Sequence, residues 1–260
     1  MREKRKDPER KESELGFPKA EPCTGSREPC TETRQPYPAE KEAREEILEI
    51  GRRMYAKGFA AANDGNISCL VGPNSLWTTP TGVSKGFMTA AQLVKTDRLG
   101  RIKSGGKPSS ELLMHLRVYD ENPEVKAVVH AHPPAATAFA CAGLALDKPV
   151  LAEAVVQLGQ VPVAPFALPG TREVADAIAP FCRDYNALLL ANHGALTWGR
   201  SLTEAWYRME TLEYYAVLLM LTGTLPAPAK SLGPQEVEGL LACRQALGIG
   251  GPGIPPVPAS

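Results

Sequence analysis

An α/β layered domain, one sheet covered by helices, is the fold class that this sequence predicts, and three observations carry it. Short apolar runs of strand type recur along the body, segments of helical period alternate with them, and the two kinds intermingle from about residue 40 to residue 247. Hydrophobic residues make up 43% of the 260 and charged residues 22%, ordinary usage for a chain that builds its own core without disulfides or a membrane. The 29 Lys and Arg balance the 29 Asp and Glu. A net charge of zero gives no electrostatic reason to expect nucleic acid or an anionic membrane as a partner.

Residues 1–37 are dense in charge, rich in Pro and Thr, and hold too little apolar surface to offset the entropy of ordering, so a disordered extension is expected. They lack the apolar centre of a secretory signal, and no later apolar run approaches the roughly 20 residues of a membrane span, which points to the cytoplasm. Residues 39–57 place Ile47, Leu48, Ile50, Met54 and Tyr55 at helical spacing, with Gly58 as a stop. Residues 67–71 and 75–79 read as a hairpin across Gly72, Pro73 and Asn74. A short helical segment at 89–93, a turn at 97–100 and a strand near Arg101 follow. Ser109 suits the cap of a helix to about Tyr119, with Leu112, Leu116 and Tyr119 as its apolar stripe. Residues 126–132 read as a buried strand that Pro133 and Pro134 end. A short helix at 135–142, a strand at 187–191 and a long helix at 201–221 complete the body. Residues 248–260 alternate Gly and Pro and predict a loose tail, which leaves 38–247 as the folded domain. The six cysteines form no CxxC pair, so reduced thiols are expected and not a disulfide framework or a thiolate metal site.

His130 and His132 sit two apart at the end of KAVVHAH. A strand's period of two puts both imidazoles on one face, where they suit one metal ion or simply form two hydrogen-bonded strand histidines. His193 lies in ALLLANHGALTWG, where an apolar strand ends in a polar turn. Alone it could shape that turn, but with the other two it would complete a three-histidine site with an open position, the catalytic arrangement. Glu111 opens the helix after Ser109 and Ser110, either as a first-turn carboxylate favoured by the helix dipole or as a group with chemistry to do. The same turn offers two hydroxyls and free amides for an anion. His115, one helical turn from Glu111, reads as a supporting or core residue outside the metal set. Segments 63–68 and 79–84 also suit an anion, because Gly allows close backbone approach and Asn, Ser and Thr are neutral donors. No Walker or Rossmann fingerprint appears, so no nucleotide is indicated.

In this order GNIS at 65–68, TPTG at 79–82, KPSSE at 107–111, HAH at 130–132 and ANHG at 191–194 resemble the class II aldolase and epimerase superfamily. The resemblance implies a three-layer α/β/α sandwich around a mainly antiparallel sheet, assembled as a homotetramer with active sites at subunit interfaces. It implies one zinc ion per subunit on His130, His132 and His193, with Glu111 moving the proton. Gly65, Asn66, Thr81, Gly82, Ser109 and Ser110 fall where the family holds the substrate phosphate. The implied reaction is reversible cleavage of a deoxyketose 1-phosphate, such as L-fuculose 1-phosphate, to dihydroxyacetone phosphate and a small aldehyde. A sugar-phosphate 4-epimerase, a methylthioribulose-1-phosphate dehydratase and a non-catalytic adducin-like module share the scaffold. Glu111 and Thr79 stand where the epimerases usually have Asp and Lys, which favours the aldolase. Leu151 stands in the segment where the fuculose-type enzymes use an interface tyrosine, and no tyrosine follows Tyr215.

Overall fold

The computed structural model describes residues 37–254. The expected extension, Tyr37 excepted, and the last six residues lie outside them. Tyr37 itself is half-buried against the body, its ring 5.0 Å from the Lys126 ammonium.

Among the described residues one eight-stranded sheet forms the middle layer. Its strands are β1 (Asn66–Gly72), β2 (Ser75–Thr78), β3 (Val94–Thr96), β4 (Ile102–Ser104), β5 (Ala127–Ala131), β6 (Val163–Ala164), β7 (Ala187–Leu190) and β8 (Gly194–Gly199). They lie in the order β4-β3-β2-β1-β5-β8-β7-β6, antiparallel throughout except for the β6–β7 pair. The helices are α1 (Glu40–Ala56), α2 (Leu112–Glu121), α3 (Pro134–Ala142), α4 (Arg172–Cys182), α5 (Leu202–Gly223) and α6 (Pro234–Ala246).

Alternation along the strands splits the core in two. Ile67, Cys69, Ala127, Val129 and Ala195 face the layer of α1, α3 and α5, whereas Leu70, Val128, Leu196 and Trp198 face α2 and α4. The result is a three-layer α/β/α sandwich around a mainly antiparallel sheet. Among the described residues no helix is long and apolar enough to cross a membrane.

The N-terminus of α3 shows how the layers lock. Pro133 and Pro134 have no amide proton, so the first free donors of this helix belong to Ala135 and Ala136. Both donate to the Glu213 carboxylate on α5, at 2.9 and 2.8 Å.

Several elements depart from expectation. The segment at 89–93 is a single 3-10 turn, Ala90–Gln92, closed by a Thr89–Gln92 capping box, and β3 follows it directly. Glu111, not Ser109, occupies the cap position of α2; the Ser109 hydroxyl instead accepts from the Glu111 amide at 3.3 Å. The apolar run before His193 does not end the sheet there, because the chain turns and runs back as β8. Residues 248–254 do not hang free. Ile254 is buried in the core, and the Gly250 carbonyl accepts from Asn186 at 2.7 Å and from the buried Arg244 guanidinium on α6.

Candidate metal centre and anion pocket

Two strand ends and one turn bring the three histidines together. His130 stands on β5 opposite Asn66 of β1 and Leu196 of β8. His132 lies just past that strand, its amide donating to the Phe59 carbonyl at 2.8 Å. His193 comes from the β7–β8 turn, where Asn192 takes the left-handed φ of 56°. Gly194 makes the approach feasible: a Cβ there would lie 2.5 Å from the His132 ring. The three ring centroids are 4.8 to 5.1 Å apart.

The donor set fits a metal ion. One ligating atom from each histidine lies within 4.8 Å of the others. His130 donates through Nδ1 to the Ala195 carbonyl at 2.9 Å, which leaves its Nε2 facing the cluster, 3.1 Å from His132 Nε2. The Glu111 carboxylate closes the fourth side, with Oε2 3.3 Å from His130 Nε2 and Oε1 3.3 Å from His193 Nε2. Oε1 is buried yet has no aligned hydrogen bond. Three imidazoles that converge on a buried carboxylate oxygen left without a hydrogen bond are the pattern a shared cation satisfies.

Burial alone would raise the Glu111 pKa, but the His130 charge beside it, with His193 and the Asn66 amide, holds the carboxyl below the usual range. It is ionised at neutral pH. Burial, reinforced by the His130 and His193 charges, lowers His132 to about 4, and burial with the His130 charge lowers His193. Both therefore present lone pairs. For His130 burial is opposed and outweighed by the Glu111 carboxylate, so its pKa rises.

Behind the carboxylate runs a buried chain of hydrogen bonds. Asn66 Nδ2 donates to Glu111 Oε2 at 2.8 Å, which turns Asn66 Oδ1 toward His115 Nε2, 2.5 Å away. Nε2 must therefore carry the His115 proton, and Nδ1 accepts from the Ser68 hydroxyl at 2.7 Å, which in turn accepts from the Tyr119 hydroxyl at 2.7 Å. Burial pushes His115 down to about 3, in keeping with this neutral state. His115 is thus a supporting residue, as expected, and Asn66 links it to Glu111 through its carbonyl oxygen and one of the two N–H groups of its amide.

A cavity of about 230 Å³ opens beside the cluster. Gly65, Asn66, Thr81, Gly82, Ser109 and Ser110 all line it, together with Glu111, His132 and His193, while His130 is buried behind. Gly65 and Gly82 both have positive φ, 75° and 71°, which the two turns require. Sequence reasoning missed Asp64, Lys85 and Gly170. Asp64 lies within a quoted segment, with its carboxylate 3.6 Å from His132 Nδ1. Lys85 follows the TPTG turn by three residues. Gly170 arrives from a distant loop to meet Ser110, and no local signal announces it.

Known proteins are similar to this chain in sequence and fold. A family model, Class II Aldolase and Adducin N-terminal domain, matches residues 45–220. The 3-oxo-tetronate 4-phosphate decarboxylase of Escherichia coli is 39% identical over 191 residues, covering 72% of this chain and 90% of that protein. The L-fuculose phosphate aldolase of Methanococcus maripaludis is 35% identical over 183 residues, 69% of this chain and 97% of that one. The crystal structure of YgbL from Klebsiella pneumoniae, titled as an aldolase, epimerase or decarboxylase, superposes with a TM-score of 0.74 at 38% identity, over 78% of this chain and 99% of its own. With the fold, the ordered motifs and the histidine cluster all in agreement, the chain belongs to the class II aldolase and adducin N-terminal domain family.

Proposed function

We propose that the chain is a zinc-dependent carbon–carbon lyase that decarboxylates a short 3-oxo sugar-acid phosphate of the 3-oxo-tetronate 4-phosphate kind. The observation that carries a lyase is the ionised Glu111 carboxylate, 3.3 Å from two of three convergent imidazoles and at the mouth of a cavity rich in neutral donors. The choice of substrate is supported by the decarboxylase relatives, and by Leu151 and the lack of a tyrosine after Tyr215, where a fuculose-type enzyme would have its two tyrosines.

The chemistry is economical. Loss of CO2 from such an acid leaves the bonding electron pair as an enediolate, and a proton delivered to carbon yields dihydroxyacetone phosphate. Cleavage of L-fuculose 1-phosphate leaves the same enediolate, with an aldehyde departing in place of CO2, and is the second reading, supported by the aldolase relatives. In both, Glu111 accepts a hydroxyl proton as substrate binds and returns a proton to carbon; in the aldol cleavage that hydroxyl becomes the carbonyl of the departing aldehyde, whereas in the decarboxylation the product regains its hydroxyl proton from water. Asn66 holds that carboxylate in place, and the Thr81–Gly82 and Ser109–Ser110 turns bind the phosphate. Zinc on His130, His132 and His193 would supply Lewis acidity at the substrate carbonyl. The reading includes a cytoplasmic homotetramer with sites at subunit interfaces, which light scattering tests.

Incubating the purified, zinc-loaded chain with each compound and identifying the products decides the substrate. CO2 and dihydroxyacetone phosphate from the sugar acid are expected. Turnover of L-fuculose 1-phosphate alone would replace the decarboxylase with the aldolase, and turnover of neither would reject both.

A further inference from the structure

The Lys85 side chain is only 2% exposed. A buried ammonium normally faces a carboxylate, because an unpaired charge taken out of water costs several kcal/mol. Among the described residues no carboxylate lies within 4.0 Å of it. Two of its three N–H groups donate to backbone carbonyls, of Asn63 and Val83, each at 2.7 Å. The third has no partner among the described residues. The two carbonyls belong to the two anion segments expected from sequence, 63–68 and 79–84, so Lys85 ties both turns together from beneath and borders the cavity they enclose.

The fold holds Lys85 there by close packing. A Cβ at Gly51 of α1 would come within 2.6 Å of the Lys85 carbonyl, and one at Gly86 within 2.6 Å of the Tyr55 ring. Only glycines at both positions let this turn sit so near α1. Asp64 and Glu111 favour the charge from a distance, but burial outweighs them and lowers the ammonium to about 8, so the cation lacks a nearby counter-ion.

We propose that Lys85 is a specificity-determining residue whose missing counter-charge is the phosphate of the substrate: among the neutral donors and the two carboxylates, Asp64 and Glu111, that line the cavity, its ammonium supplies the preference for a phosphorylated ligand. This rests on the reading of the cavity as the site for a sugar phosphate. A cation is better placed on the phosphate than on a carboxylate about to depart as CO2, since it would hold that carboxylate in the ground state.

The test uses the full zinc-loaded chain and inorganic phosphate as probe, followed by calorimetry, with Lys85→Gln and the near-isosteric Lys85→Met as variants. Phosphate affinity is expected to fall at least about tenfold in both, the scale of a lost charge-assisted hydrogen bond. Zinc content should stay native, and KM for dihydroxyacetone phosphate in solvent deuterium exchange should rise more than kcat falls. Native phosphate affinity in either folded variant would overturn the proposal and leave Lys85 a structural tie between two turns. The two readings fail separately. Deuterium exchange with an unchanged KM in the variants sinks the role of Lys85 and spares the lyase; Lys85-dependent phosphate binding without exchange or turnover sinks the lyase and spares Lys85.

Discussion

The four residues on which chemistry would turn were legible only as a set, because a histidine pair at strand period, a histidine at a strand end and a carboxylate at a helix start each have a plain structural use alone and gain meaning from their order along the chain. Glu111 gives the sharpest expectation. Gln keeps its size and can still face Asn66, but it cannot take a proton, so Glu111→Gln should retain zinc and lose turnover by about 10² to 10⁴. In deuterated water the unaltered chain should exchange one carbon-bound proton of dihydroxyacetone phosphate and the variant should not; exchange at the native rate would pass the proton to another group. The residues that escaped the sequence are those whose meaning is tertiary. Lys85 is one lysine among 29 Lys and Arg until its burial is seen, and only the fold shows that the Asn66 amide joins Glu111 on one side to His115 on the other.

Among elements, α1 was legible from its helical period, β5 from a short apolar run that two prolines end, and α5 from a long apolar stretch behind a Ser cap. The hidden ones were masked for different reasons: α4 keeps a helical period through Val174, Ile178 and Cys182 but contains Pro180, β8 opens on a glycine, and α6 carries Gly239 and buries only Val237 and Arg244. The cap of α3 was hidden too, since its partner lies 77 residues away. It yields a stability prediction. Glu213→Ala strands the buried amides of Ala135 and Ala136, and at about 1 to 3 kcal/mol for each unsatisfied donor the loss should total about 2 to 6 kcal/mol. Urea unfolding should show the midpoint fall with an unchanged slope. Glu213→Gln, which keeps an acceptor, should lose less. A native midpoint in the Ala variant would mean that water or a shifted side chain replaces the carboxylate.

For the whole molecule, layered architecture was legible and strand order was not, because pairing between distant segments leaves no local trace. Nor was the packing of residues 248–254 visible in a Gly- and Pro-rich stretch whose single anchor is Ile254. Truncation after residue 247 removes that side chain and the Gly250 carbonyl on which Arg244 rests, so a loss of about 2 to 4 kcal/mol is expected from the apolar burial and the charged hydrogen bond together. Thermal unfolding of the shortened chain checks this, and an unmoved midpoint would make the segment a passenger. The two borders of the sheet carry a different consequence. β4 has three residues, all exposed, with Lys103 in the middle, and β6 has only two. Among the described residues neither border offers a long ladder on which a strand from another molecule could grow, so extension of one continuous sheet from copy to copy is disfavoured. The fold thereby guards itself at both borders against the edge-to-edge stacking from which fibres grow.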